Sequence, residues 1–198
     1  MPKFIAFTGT HSTGKSTFVD KLTDIARKRG LRVGKVKDNA SECARAGFRI
    51  LKDHTFSSTL WIMATVIREE QYEGLDADLV IVDRPVSDAI GYLEAALAVT
   101  GRELPSEDRN YLYALAKLHS HRYDLLFKTV LDESVPLGAG RDPDLAYRKD
   151  VDSCIGAALS HLGVRPLNPL NANDMAQALA LIDLIDEEIK QGCQYDVG

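Results

Sequence analysis

The sequence predicts an α/β protein, a three-layer sandwich built on a central parallel sheet of about five strands. Three observations predict it. Short apolar runs alternate with longer segments of helical spacing along all 198 residues. The first apolar run passes directly into a glycine-rich turn and then a helix. A later apolar run ends on a carboxylate. Strands that are apolar throughout and alternate with helices imply a parallel sheet covered on both faces.

Phe4–Phe7 reads as the first buried strand. From Lys15 to Arg29 the apolar residues Phe18, Val19, Leu22, Ile25 and Ala26 recur at helical spacing, and Gly30 ends the helix. Leu31–Lys37 reads as a second strand, Ala40–Lys52 and Ser57–Leu75 as helices, and Leu79–Val82 as the clearest buried strand. Ser87–Val99 and Ser106–His121 read as helices and Asp124–Val130 as a fourth strand. Asp142-Pro143 reads as the start of a helix, with Asp as cap and Pro in the first turn. Val164–Leu167 reads as a last strand and Asp174–Lys190 as a last helix. With no repeat, low-complexity tract or linker, residues 1–198 read as one domain.

Composition narrows the function classes. A hydrophobic fraction of 45% suits a globular core, and a net charge of −5 argues against a broad nucleic-acid-binding face. Cys43, Cys154 and Cys193 are far apart with no Cys-x-x-Cys pair, which argues against structural zinc and suits unpaired thiols in the cytoplasm. The apolar stretch at the N-terminus is too short for a signal peptide and runs into the fold. No apolar run reaches membrane-spanning length.

Gly9-Thr-His-Ser-Thr-Gly-Lys-Ser-Thr17 matches the phosphate-loop pattern G-x-x-x-x-G-K-[ST]. Gly9 and Gly14 let the backbone curl so that N–H groups from His11, Ser12, Thr13 and their neighbours face one anion. The helix starting near Lys15 adds its positive end. Lys15 is a mobile cation for the β and γ phosphates, Ser16 a ligand for Mg²⁺, and Thr17 a further donor to the α phosphate. These residues predict ATP or a similar nucleotide together with Mg²⁺. The His11 side chain is expected to point outward.

Leu79-Val-Ile-Val-Asp83 has the form of a Walker B strand, which would place Asp83 at the carboxyl edge of the sheet near Ser16 as a second metal ligand. Arg84 follows where many P-loop motors carry a glutamate. An arginine cannot act as a base toward water, but it can hold a substrate phosphate or the charge that develops in transfer. No Asn-Lys-x-Asp guanine-reading motif occurs; Asn171–Asp174 only echoes it.

Gly138-Ala-Gly-Arg141-Asp-Pro is flexible, then basic, then rigid, and Arg148 follows seven residues after Arg141. A lid over about residues 133–150 would bring both arginines onto the nucleotide; the alternative is a solvated face paired with the neighbouring aspartates. After the second strand, Asp38 or Glu42 would take a proton from an acceptor hydroxyl, or cap a helix, and Arg45 would hold an acceptor phosphate. Trp61 either stacks on a base or belongs to the core.

Taken together, the phosphate loop, Glu42-x-Ala-Arg45, Val-Asp83-Arg84-Pro, Gly140-Arg141-Asp-Pro-Asp and Tyr147-Arg148 resemble a family of small P-loop kinases. That family includes the ribosylnicotinamide-kinase domain and many phage and bacterial proteins labelled AAA-type ATPases. Thymidylate and deoxynucleoside kinases are more distantly similar. The resemblance implies a five-stranded P-loop NTPase sheet, an ATP·Mg²⁺ donor, a helical lid bearing arginine, and Glu42 and Arg45 near the acceptor. It leaves the acceptor open among a nucleoside, a nucleotide and a hydroxymethylated base in DNA, and leaves room for a regulatory ATP-binding or ATPase module. It does not set the oligomeric state.

Overall fold

The structure is a computed structural model that describes residues 1–133 and 143–195. In chain order the elements are β1 (Lys3–Thr8), α1 (Lys15–Lys28), β2 (Val33–Val36), α2 (Ala40–Arg45), a 3-10 turn (Leu51–Asp53), α3 (Phe56–Glu73), β3 (Leu79–Asp83), α4 (Val86–Thr100), α5 (Ser106–Ser120), β4 (Leu125–Lys128), α6 (Leu145–Leu162) and α7 (Ala172–Tyr195).

The four strands are parallel in the order β2-β3-β1-β4. Period-two alternation sends their side chains to two separate cores. Phe4, Ala6, Val80 and Val82 pack with residues of α3, α4, α5 and α6. Ile5, Phe7, Leu79 and Ile81 pack on the other face with α1 and α7. Burial on both faces explains why β1 and β3 are apolar without interruption. Helices on both faces of a parallel sheet make the predicted three-layer architecture.

A fifth strand is reduced to a single bridge. Leu167 donates to the Leu126 carbonyl at 2.8 Å and accepts from the Lys128 N–H at 2.8 Å. The next residue on the same edge is Pro169, which has no N–H to extend the ladder. Among the described residues the sheet therefore has four full strands where about five were expected.

Two helix boundaries also differ from expectation. α2 stops at Arg45 rather than Lys52, because Gly47 takes φ +93° and closes a Schellman cap. In that cap Phe48 N–H donates to the Cys43 carbonyl at 3.2 Å and Gly47 N–H to the Ala44 carbonyl at 3.0 Å. α6 begins at Leu145 with Asp144 as its cap, the carboxylate accepting from the Tyr147 N–H at 3.0 Å. Asp142, expected in that role, lies outside the described residues, as does Arg141. Cys43 and Cys154 are free thiols. Among the described helices none is long and apolar enough to cross a membrane.

The order of the strands sets the position of the site. β1 and β3 are neighbours with Phe7 paired to Asp83, so the turn after β1 faces the carboxyl end of β3 across the sheet edge. This is the crevice where open parallel sheets bind ligands. α6 reaches the same edge because it crosses α4 with almost no separation. A Cβ built on Gly91 would lie 2.9 Å from the Ile155 Cα, so only glycine fits there.

Candidate active site

The turn after β1 is a tight loop with three residues of positive φ, Gly9, Ser12 and Gly14. Gly9 has φ +136°, and a Cβ there would lie 2.3 Å from the Thr129 hydroxyl oxygen, so the turn needs glycine for conformation and for space. Gly14 has φ +80° and precedes the first residue of α1. Ser12 also takes the left-handed region, at φ +56°. The Thr13 hydroxyl donates to the Thr10 carbonyl at 3.0 Å and lies 2.6 Å from the Thr129 hydroxyl, tying the turn to the end of β4. Thr17 is exposed on α1.

Lys15 is folded back into this turn. Its ammonium donates to the Thr10 carbonyl and lies 3.4 Å from the Thr13 hydroxyl. It is buried, and that burial first, with the Arg84 charge second, holds its pKa down to about 7; Asp88, Asp83 and Asp38 pull the other way. A cation this far desolvated, hydrogen-bonded among the described residues only to neutral oxygens, favours an anion arriving in the turn.

Ser16 donates to the Asp83 carboxylate at 2.7 Å. The other Asp83 oxygen is buried and has no hydrogen-bond partner among the described residues. A buried carboxylate oxygen left unpaired beside a hydroxyl is the donor set a hard divalent cation takes up. Ser16 and Asp83 therefore fit Mg²⁺.

Two arginines donate to backbone carbonyls of the turn. Arg148, on α6, is only 3% exposed, and its guanidinium donates to the His11 and Ser12 carbonyls at 3.3 Å each. Its Nε is buried without a partner, and no carboxylate pairs with it among the described residues. Arg84 is 8% exposed with φ +72° and is held from four directions. Its Nε donates to Asp38 at 2.8 Å; its Nη1 donates to Asp88 at 3.3 Å, the Gly9 carbonyl at 3.3 Å and the Tyr92 hydroxyl at 3.2 Å. Its charge also lies 5.2 Å from the Tyr92 ring centre.

His11 differs from expectation. Its side chain is buried, with Nδ1 3.3 Å from the Tyr92 hydroxyl, while its backbone N–H donates to that same hydroxyl at 3.1 Å. Tyr92, projecting from α4, holds the loop residue inward.

Beside the loop opens a cavity of about 90 Å³. Its polar wall is made by His11, Asp38, Arg84, Asp88 and Tyr92, and its apolar wall by residues such as Ile50, Leu51, Ile62 and Val66. Glu42 and Arg45 do not line it. They sit on the short exposed α2 and line an open groove of about 670 Å³ on the far side of Asp38 and Asn39, which border both spaces. Arg45 donates to the Ser41 carbonyl of its own helix at 3.3 Å. Trp61 packs against Phe48, with ring centres 5.8 Å apart, and does not line the cavity.

Asp88 and Tyr92 escaped the sequence reading. Asp88 is 3% exposed, accepts a hydrogen bond from the Thr8 hydroxyl and pairs with Arg84. Burial pushes its pKa up to about 6 against the pull of Arg84 and Lys15. A signal was present: Asp88 and Tyr92 are spaced by four on one face of α4, and Arg84 lies four residues before Asp88 in sequence.

Comparison with known proteins agrees with this architecture. Residues 4–177 match the family model described as AAA domain. The chain belongs to the AAA domain family. Its fold is that of the nucleotide-binding P-loop NTPases. No curated protein matches the chain. Among solved structures it is similar in fold to the crystal structure of NadR protein in complex with NR, at 16% identity and a TM-score of 0.62. That alignment covers 86% of this chain and 46% of the NadR chain, so this member spans about half of that protein's length.

Proposed function

We propose that this AAA domain protein is an ATP-dependent phosphotransferase that moves the terminal phosphoryl group onto a hydroxyl of a nucleoside, a nucleotide or a related acceptor. The observation that carries the reading is the cavity beside the loop. It has an apolar wall suited to a flat organic group and a carboxylate, Asp38, at its polar end. Arg84 stands at the position after Asp83 and is committed to this cavity, so the site is built to receive an organic acceptor rather than to activate water.

In the proposed reaction the loop N–H groups and Lys15 hold the phosphates of ATP, and Arg148 lies over the loop as the cation for charge developing in transfer. Asp38 accepts the proton of the acceptor hydroxyl as its oxygen bonds to phosphorus. The bond to the bridging oxygen breaks and ADP leaves. Glu42 is too far out on α2 to line the acceptor cavity, so Asp38 is the better base. Mg²⁺, held by Ser16 and Asp83, would neutralise phosphate charge. Arg141, outside the described residues, is proposed as a second lid cation. A hydroxymethylated base in DNA is not favoured by the groove beyond Asp38, where Lys35, Lys37, Arg45 and Arg68 are matched by Asp38, Glu42, Glu69 and Glu73.

The test is incubation with ATP·Mg²⁺ and a panel of nucleosides, nucleotides and hydroxymethyl-containing DNA, followed by mass spectrometry. A product heavier by one phosphoryl group supports the reading, and hydrolysis with no such product overturns it. The metal assignment has its own test. Asp83→Asn should raise the Mg²⁺ concentration needed for half-maximal activity by about 10- to 100-fold, the usual cost of disturbing a metal's ligand shell. An unchanged Mg²⁺ requirement would remove Asp83 from the metal site.

A further inference from the structure

Resting on the phosphotransferase reading, we infer that Asp88 is a specificity-determining residue that restricts the acceptor cavity to uncharged hydroxyl-bearing groups and refuses a phosphate as acceptor. Among the residues lining the cavity, the charged ones are Asp38, Asp88 and Arg84. Arg84 is the one lining cation, and it is already shared between the two carboxylates, at 2.8 Å from Asp38 and 3.3 Å from Asp88. The Asp88 pair is the more deeply enclosed: its carboxylate side chain is 4% exposed and that of Arg84 10%. An anionic acceptor entering here would meet a surplus of negative charge in a poorly solvated wall. It would also have to compete for the charge of Arg84 with two carboxylates, one of which cannot follow it into water.

The geometry around Asp88 makes this arrangement hard to undo. The Thr8 hydroxyl, at the end of β1, donates to its other oxygen. The Tyr92 hydroxyl and the Gly9 carbonyl take up the remaining reach of the Arg84 Nη1. The guanidinium is therefore fixed along the cavity wall by α4 and by the loop itself. A hydroxyl acceptor makes a different demand. It donates to Asp38, needs no cation of its own, and lays its apolar part on Ile62 and Val66. Asp88 thus acts through charge and through its hold on Arg84, as an element directed against the wrong acceptor.

The experiment compares matched pairs, each nucleoside against its own 5′-monophosphate, in wild type and in Asp88→Asn, with product read by mass spectrometry and kcat/KM by ADP release. Wild type should prefer the uncharged member of the reactive pair by about 100-fold or more, and Asp88→Asn should narrow that ratio by about tenfold, mainly through a lower KM for the monophosphate. Binding of the same pairs to protein saturated with a non-hydrolysable ATP analogue and Mg²⁺ gives a readout independent of turnover. It also serves if Asp88→Asn folds poorly, because the wild-type preference stands alone. Equal or better use of the monophosphate by wild type, or an unchanged ratio in a folded Asp88→Asn, overturns the role of Asp88 while leaving the phosphotransferase reading intact. A panel in which neither member of any pair reacts or binds counts against both.

Discussion

Lys15→Ala should leave the chain folded and lower turnover by about 10²- to 10³-fold, the scale of losing one preorganised charge aimed at a reacting phosphate. The fold should survive because, among the described residues, Lys15 forms no ion pair and its ammonium hydrogen-bonds only the Thr10 carbonyl and the Thr13 hydroxyl. Removing a desolvated cation of that kind costs little and can raise the unfolding midpoint. The same burial makes a pH signature. In the nucleotide-free protein the Lys15 pKa is held down to about 7, so above that pH part of the population carries a neutral amine. Polyphosphate favours the charged form, so binding at pH 8 should take up a proton and weaken as pH rises. Calorimetry in two buffers of different ionisation enthalpy reads that proton directly. Full activity in the folded variant would remove Lys15 from the reaction.

Arg148→Ala should lower kcat by a comparable factor, about 10²- to 10³-fold, with a smaller change in the KM for ATP. Arg148 waits over the loop with its Nε unpaired and, among the described residues, two carbonyls as its hydrogen-bond partners. A guanidinium placed so gains most when negative charge grows on the phosphoryl oxygens. Losing its hydrogen bonds to the loop should cost about 1–3 kcal/mol of stability, visible in denaturant unfolding. Arg148→Lys should not restore kcat, since a point charge cannot reproduce the fork that spans the His11 and Ser12 carbonyls. A raised KM with kcat unchanged would make Arg148 a ground-state ligand of ATP instead.

β1, the loop and β3 were legible in the sequence because their constraints are local: a glycine where only glycine fits, an apolar run buried on both faces, a carboxylate at the strand end. The length of α2 was less legible, since Gly47 can stop a helix or sit within one, and the helical spacing beyond it belongs to the 3-10 turn. The fifth strand failed on a single missing N–H at Pro169. The acceptor side was hardest to read because it depends on contacts across the fold. Asp38, just after β2, meets Arg84 from far along the chain, and that contact separates Asp38 from Glu42, two candidates that local sequence cannot rank. His11 turns inward only because Tyr92 rises from α4 to meet it. Asp88 and Tyr92 repeat the helical spacing from Arg84, yet read alone they look like ordinary members of a buried helix.

The most direct test of the account is the partition of the terminal phosphoryl group. With ATP labelled in the γ position, the label is followed into free phosphate and into acceptor during initial-rate turnover. The account predicts slow release of free phosphate when ATP is alone. It predicts ADP formation faster by about 100-fold or more with the correct acceptor present, the label then appearing on that acceptor, as expected when positioning and exclusion of water govern transfer. Rapid release of free phosphate without any acceptor, unchanged when acceptors are added, would contradict it and make the protein a hydrolase.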